Sequence, residues 1–227
     1  PTVETWLDTH AQEDNWYLHI NYWDIHTPYR APNSYGDPFS DEPLPDWLTE
    51  EVLEKHKQLV GPHTPLEISM WDDKVNPKYP RYPGRLNTMK DLRQMIDGYD
   101  TAIRYVDDQI ATIIGIIERK GFLDDTAVII SADHGDNFGE HGIYSDHVCA
   151  DEAIHNVPLI VKWPGVAPAG KTCDALLYNV DLSAALIELT GGEVPEHYDG
   201  RSLAGHLRGE TSFEHDYLVW GHGLYTL

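Results

Sequence analysis

Hydrophobic positions along this chain fall into three patterns, and each predicts a different kind of element. The clearest is helical. From Asn87 to Lys120, Leu92, Met95, Ile96, Tyr99, Ile103, Val106, Ile110, Ile113, Ile114 and Ile117 recur on one face at a period of about 3.6 residues. Gly121 follows where a helix-ending glycine is expected. Weaker helical signals cover Trp6–Asp14, Pro45–Leu59 and Asp181–Thr190, the last capped by Asp181 and stopped by Gly191-Gly192. A turn over Val194–Leu203 leads into one more short helix. The second pattern is the short apolar run bounded by polar residues. Ala127–Ser131, Val157–Lys162, the aromatic stretch Asn15–Trp23 and Tyr217–Gly221 all predict strands. The third is an absence of period. Residues 31–87 hold Pro32, Pro38, Pro43, Pro45, Pro62, Pro65, Pro77, Pro80 and Pro83, and beyond the one short helix they predict a long irregular excursion. Its aromatics Trp47, Trp71, Tyr79 and Tyr82 fit a substrate-facing wall or lid, or equally simple surface packing.

Strand–helix–strand alternation implies an α/β layer architecture, a largely parallel or mixed sheet flanked by helices, with the long helix packed flat on the sheet. The 227 residues show no internal repeat and no linker, so residues 1–227 form part of one α/β domain. An apolar fraction of 41% is enough for a core. The formal net charge of −22 argues against nucleic acid and against anionic lipid, because both need a basic surface. No run is long enough to cross a membrane as a helix. Cys149 and Cys173 make neither a disulfide framework nor a Cys-x-x-Cys pair, and they leave the compartment open.

Candidate chemistry concentrates in Thr126–Gly165. The strand Ala127–Ser131 runs into Asp133, His134 and Gly135, and ligands gather at the carboxyl ends of strands in α/β proteins. Neighbours on a continuing strand point to opposite faces, so Asp133 and His134 converge on one ion only if the chain bends, which Gly135 permits. Carboxylate plus imidazole suits zinc or manganese; calcium and magnesium prefer oxygen alone. The alternative is a capping Asp beside a surface His. His141, His147 and His155 lie in the same loop and offer metal ligation, oxyanion binding or general acid chemistry. Asp136, Glu140, Asp146, Asp151 and Glu152 crowd it too, as cation donors or simply as a solvated acidic face. His26 stands at the exit of the Asn15–Trp23 run, where Pro28 ends regular structure and favours extended backbone at Thr27. Taken alone, His26 reads as a hydrogen-bonded structural histidine.

Several segments together resemble the sulfatase family of the alkaline phosphatase superfamily. They are WDIHTPYRAP, the helix YDTAIRYVDDQIATIIGIIERKGFL, DHGDNFGEHG with AIHNVPLIVKWPG, and NVDLSAALIELTGGEVPEHYDGRSLAGHL, in family order from about His19 to His206. The resemblance implies a partial alkaline phosphatase-like α/β fold and hydrolysis of a small-molecule or carbohydrate sulfate ester. It makes Asp133 and His134 ligands of a divalent metal ion, calcium first, with zinc, manganese or magnesium as alternatives. It makes His26 a contact of the sulfate group. Members commonly carry Lys after the Gly-Glu-His-Gly segment; here His147 occupies that place, to bind the sulfate or protonate the leaving oxygen. Many members have Asn where this chain has His134, a difference compatible with a phosphatase-like member. The family nucleophile, a formylglycine within Cys/Ser-x-Pro-x-Arg, has no counterpart in these residues. The expectation is therefore the C-terminal part of a sulfatase catalytic domain, inactive alone, completed by an N-terminal half. The alternatives are a metal-dependent phosphodiesterase or phosphonate hydrolase of the same superfamily, and a non-catalytic binding module.

Overall fold

The computed structural model describes every residue except 1, 69–74, 223, 224 and 227, so Trp71 lies outside the described residues. Its elements are α1 (Val3–His10), α2 (Glu50–His56), α3 (Met89–Arg119), β1 (Val128–Ser131), α4 (Glu152–His155), β2 (Leu159–Lys162), α5 (Asn179–Leu189), α6 (Ala204–Leu207), β3 (Gly221–His222) and β4 (Tyr225–Thr226). They divide into two compact units. One comprises residues 1–122 and 136–147, the other 123–135 and 148–227.

The first unit is built on α3. Its start is closed by a capping box: Asp91 N–H donates to the Thr88 hydroxyl, and the Asp91 carboxylate accepts from Thr88 N–H at 2.9 Å. Its end is closed by Gly121 at φ +82°, a conformation open to glycine. Leu92, Met95, Ala102, Val106, Ile116 and Ile117 are buried along one stripe. Ile103 is not on it; one residue past Ala102 it has rotated about 100° off the face and is exposed. Lys120 pairs with Asp8 at 2.8 Å and ties α1 to the end of α3.

The other half of this core comes from the proline-rich excursion. Ala31, Leu48, Leu53, Ile68, Tyr82 and Leu86 pack with Tyr29, Leu92, Met95, Ala102 and Tyr144. Each fully buried Leu or Met here contributes roughly 1.5–3 kcal/mol by leaving water. Arg81 is buried and satisfied, donating to the carbonyls of Ala31 and Gly36 at 2.9 Å each. Apart from α2 and a 3-10 turn at Asn33–Tyr35, the described residues of the excursion thus form a packed layer of turns and irregular chain. Tyr82 belongs to its interior and donates to Ile68 O at 3.0 Å, so it is no part of a substrate-facing wall. Thr49 caps α2, whose span falls inside the predicted helix.

Of the predicted strands, one is absent from the described residues and one is displaced. Asn15–Trp23 is extended but has no ladder partner, and Tyr17 and Trp23 are exposed; its residue types favoured a sheet that its surroundings do not supply. The last strand begins at Gly221, beyond the predicted start at Tyr217, and pairs with β4 in a two-residue ladder.

In the second unit β1 and β2 pair antiparallel, with Val128 opposite Lys162 and Ser131 opposite Leu159. The two runs are strands as their patterns predict. α5 begins at Asn179, two residues before the predicted cap. Asp181 acts from inside the first turn, accepting from Tyr178 N–H at 2.7 Å. Gly135 lies against α4: its N–H donates to Ile154 O at 2.8 Å, and a Cβ would stand 2.0 Å from Ala153 O. Only glycine fits there.

Candidate functional site

Residues 136–147 fold as a tight hairpin in the first unit. Asn137 N–H donates to Asp146 O at 2.9 Å, Ser145 N–H to Asn137 O at 2.7 Å, and Gly139 N–H to Ile143 O at 2.8 Å. A 3-10 turn over Glu140–Gly142 makes the tip, with Gly139 and Gly142 at positive φ. Tyr144 anchors the hairpin in the core, fully buried, its hydroxyl 2.8 Å from His56 Nδ1. Burial lifts the Tyr144 hydroxyl well above its ordinary range, and Glu140 adds to this.

Because Asn137 pairs with Asp146, the residues flanking that pair meet at the open end. A carboxylate oxygen of Asp136 and a ring nitrogen of His147 lie within 4.8 Å of each other. Asp136 also faces a buried aromatic cluster. Tyr29 contacts Tyr82 and Tyr99 edge-on, with ring centroids 5.4 and 5.7 Å apart. Tyr29 OH lies 3.4 Å from Ser145 Oγ, which donates to Tyr82 OH at 3.1 Å. Burial first, and then the Asp136 charge, push the Tyr99 hydroxyl up to about 12. Tyr29 is raised further for the same two reasons.

Asp146 is held on both oxygens. Its Oδ2 is 3.0 Å from His63 Nε2, and its Oδ1 accepts from His147 N–H at 2.6 Å. Burial disfavours the charge on Asp146, but the hydrogen bonds from His63 and His147 outweigh it and keep the carboxyl below the usual range. His147 Nδ1 lies 3.6 Å from the same Oδ1. Among the crowded loop carboxylates, Asp136 and Asp146 are therefore partly enclosed rather than solvated.

His26 is half-buried and stacked on Trp23, centroids 4.4 Å apart, and its Nδ1 donates to Thr27 O at 3.0 Å. The Thr27–Pro28 peptide is cis. In the second unit, the chain bends after β1, and Asp133 Oδ2 lies 3.9 Å from His134 Nε2. His134 Nδ1 donates to Gly135 O at 2.8 Å, which fixes the tautomer with the lone pair on Nε2, the form a metal ion requires. Asp133 is largely exposed. His155 stacks on Trp220 at 5.5 Å. Along the chain His134 stands two residues before Asp136, so this short segment supplies imidazole and carboxylate donors in close succession. Such a mixed set fits a divalent cation.

His63 was not expected. Its partner is far downstream, and nothing in GPHTP signals the contact.

An α/β chain that gathers His and Asp donors where a strand gives way to a loop carries its candidate chemistry where α/β folds commonly bind ligands. The chain matches the sulfatase family over residues 1–192 and belongs to that family. It is 31% identical over 118 residues to an N-acetylglucosamine-6-O-sulfatase of Bacteroides thetaiotaomicron, covering 52% of this chain and 21% of that protein. It is 28% identical over 197 residues to a choline-sulfatase of Rhizobium meliloti, covering 86% of this chain and 36% of that one. The phosphonate monoester hydrolase of Silicibacter pomeroyi superposes over 95% of this chain and 42% of its own, with a TM-score of 0.70 at 22% identity, a likeness of fold. The fold is alkaline phosphatase-like, and the chain spans about a fifth and about a third of the lengths of these two curated relatives. Among the described residues no helix is long and apolar enough to cross a membrane.

Proposed function

We propose that this chain supplies part of the metal and substrate site of a sulfate-ester hydrolase. The carrying observation is the 136–147 hairpin, which closes Asp136 onto His147 directly after the Asp133-His134 pair in a sulfatase-family chain. Asp133 and His134 are the proposed metal ligands. The family resemblance favours calcium, whereas the imidazole in the set favours zinc or manganese. When bound, the cation offsets the negative charge that develops on the sulfate oxygens. The nucleophile, a formylglycine by the same resemblance, comes from outside these residues.

His147 donates a proton to the leaving oxygen as the sulfur–oxygen ester bond breaks, so the alcohol departs neutral. Asp146, bonded to the His147 backbone, keeps that imidazole at the mouth of the hairpin. His26 Nδ1 is committed to Thr27 O, so Nε2 is the atom left to meet a sulfate oxygen, and it does so when the ring carries both protons. The relatives named for an amino-sugar sulfate and for choline sulfate bracket the proposed substrates, small-molecule or carbohydrate sulfate esters.

The test uses the full-length protein that carries these residues, assayed on matched aryl sulfate, aryl phosphate and aryl phosphonate esters. The expected result is fastest turnover of the sulfate, loss on chelation, and recovery when calcium, zinc, manganese or magnesium is restored singly. Preference for phosphate or phosphonate would replace this reading with the phosphodiesterase or phosphonate hydrolase alternative. Binding of a sulfate ester without turnover would replace it with the binding module.

A further inference from the structure

We propose that His63 is a positioning residue for His147, acting through Asp146. This rests on the proposed function of His147. His63 sits in the proline-rich excursion, and its backbone is held at both ends: its N–H donates to Glu67 O at 2.8 Å, and its carbonyl accepts from Tyr144 N–H at 2.8 Å. It has φ +63°, a left-handed conformation uncommon outside glycine, and only 5% of its surface is exposed. Two fixed points, the Glu67 turn and the anchored Tyr144, therefore place the imidazole.

The ring has one partner among the described residues. Nε2 is 3.0 Å from Asp146 Oδ2, while Nδ1 is buried with no hydrogen-bond partner. The tautomer with hydrogen on Nε2 follows, because it puts the donor against the carboxylate. Asp146 then divides its oxygens, Oδ2 to His63 and Oδ1 to the His147 N–H at 2.6 Å and, more distantly, the His147 ring at 3.6 Å. A rotation of the Asp146 carboxylate would break both contacts, so His63 sets the orientation that His147 meets.

An apolar residue at position 63 would fill this space without an orphaned ring nitrogen, while keeping the same left-handed backbone. What it could not do is present a hydrogen bond to the second oxygen of Asp146. Partners one step behind a functional imidazole or carboxylate commonly act in this way, by fixing the ring that does the chemistry.

The test compares the full-length protein with His63→Leu and His63→Gln. Leu removes the donor. Gln puts an amide nitrogen near the place of Nε2. In the Leu variant kcat should fall about 10–100-fold with KM nearly unchanged, the range typical of lost supporting partners. In the Gln variant kcat should recover most of that loss. The ring signals of His147 in a 15N-histidine NMR spectrum should move in Leu and return toward the parent in Gln. Should Leu fail to fold, His63→Asn, whose shorter amide cannot reach Asp146, takes its place with the same expectations. Unchanged kcat and unchanged His147 signals in the donor-less variant would overturn the proposal, and so would an equal loss in the donor-less and Gln variants. If the parent hydrolyses no sulfate ester, the proposed function falls. The His147 signals then decide the positioning alone.

Discussion

Asp181 is completely buried and carries three hydrogen bonds, which makes its removal a sharp test of how the second unit is held. Its carboxylate accepts from Tyr178 N–H at 2.7 Å, from Arg201 N–H at 2.8 Å and from His215 Nε2 at 2.8 Å. The first contact closes the start of α5. The second fixes the turn before α6, and the third holds the 213–217 segment. Asp181→Ala removes all three at once and leaves two part-buried backbone N–H groups without their acceptor. Hydrogen bonds to a charged group contribute about 1.5–3 kcal/mol each, and an orphaned donor costs about 1–3 kcal/mol. These overlap, so the expected loss is about 3–5 kcal/mol, as for breaking other buried charge networks. At a urea slope of about 2–3 kcal/mol per molar, the midpoint should fall by about 1–2 M. Asp181→Asn should lose less, because its carbonyl keeps one N–H and His215 can turn its other tautomer toward the new amide. The assay is urea unfolding followed by circular dichroism, with both variants beside the parent. An Ala variant that unfolds at the parent midpoint would show that these contacts are not what holds α5, the turn and the 213–217 segment together.

Further expectations concern the site and the long helix. Gly135→Ala drives a Cβ into Ala153 O; a loss of about 1–3 kcal/mol, read as a lower Tm with reduced turnover, is expected from such overpacking. His147→Ala should lower kcat on an aryl sulfate by about 100-fold or more if the ring is the general acid, with a smaller loss for leaving groups that depart without a proton. Burial, with neighbouring Asp100, Asp37 and Asp41 and against the pull of Arg93, raises the Asp97 carboxyl to about 6. Its folded value thus lies above its unfolded one. Its stabilising contribution is full below about pH 4 and is lost as pH rises through about 6. Asp97→Asn should therefore gain stability over the parent between pH 4 and 7, by on the order of 2 kcal/mol, measured as a Tm difference that closes in acid. A difference independent of pH would refute this.

Much of the helical structure was legible because helix formation is local. The period from Leu92 to Ile117 and the glycine at 121 located α3 almost to the residue. The two apolar runs around the Asp133-His134 loop are β1 and β2. Asn15–Trp23 shows the other case. Aromatic and β-branched residues state a preference, but a strand exists only with a partner, and none is present among the described residues. The proline-rich excursion misled in the opposite sense. Lack of period made it look like a loop, yet Leu48, Ile68 and Leu86 are core residues brought in outside regular structure, beside Leu53 of α2.

The sequence by itself determined the family, the order of the elements and the short segment where imidazoles and carboxylates collect, because motif and period are carried by neighbours in the chain. Only the tertiary structure decided which of those groups act together. Asp136 faces His147 because an antiparallel hairpin, pinned by Tyr144, pairs Asn137 with Asp146. His63 reaches Asp146 because a turn in a distant segment accepts a hydrogen bond from the backbone of the same tyrosine. Such contacts follow from packing across long sequence separations, and no local pattern encodes them.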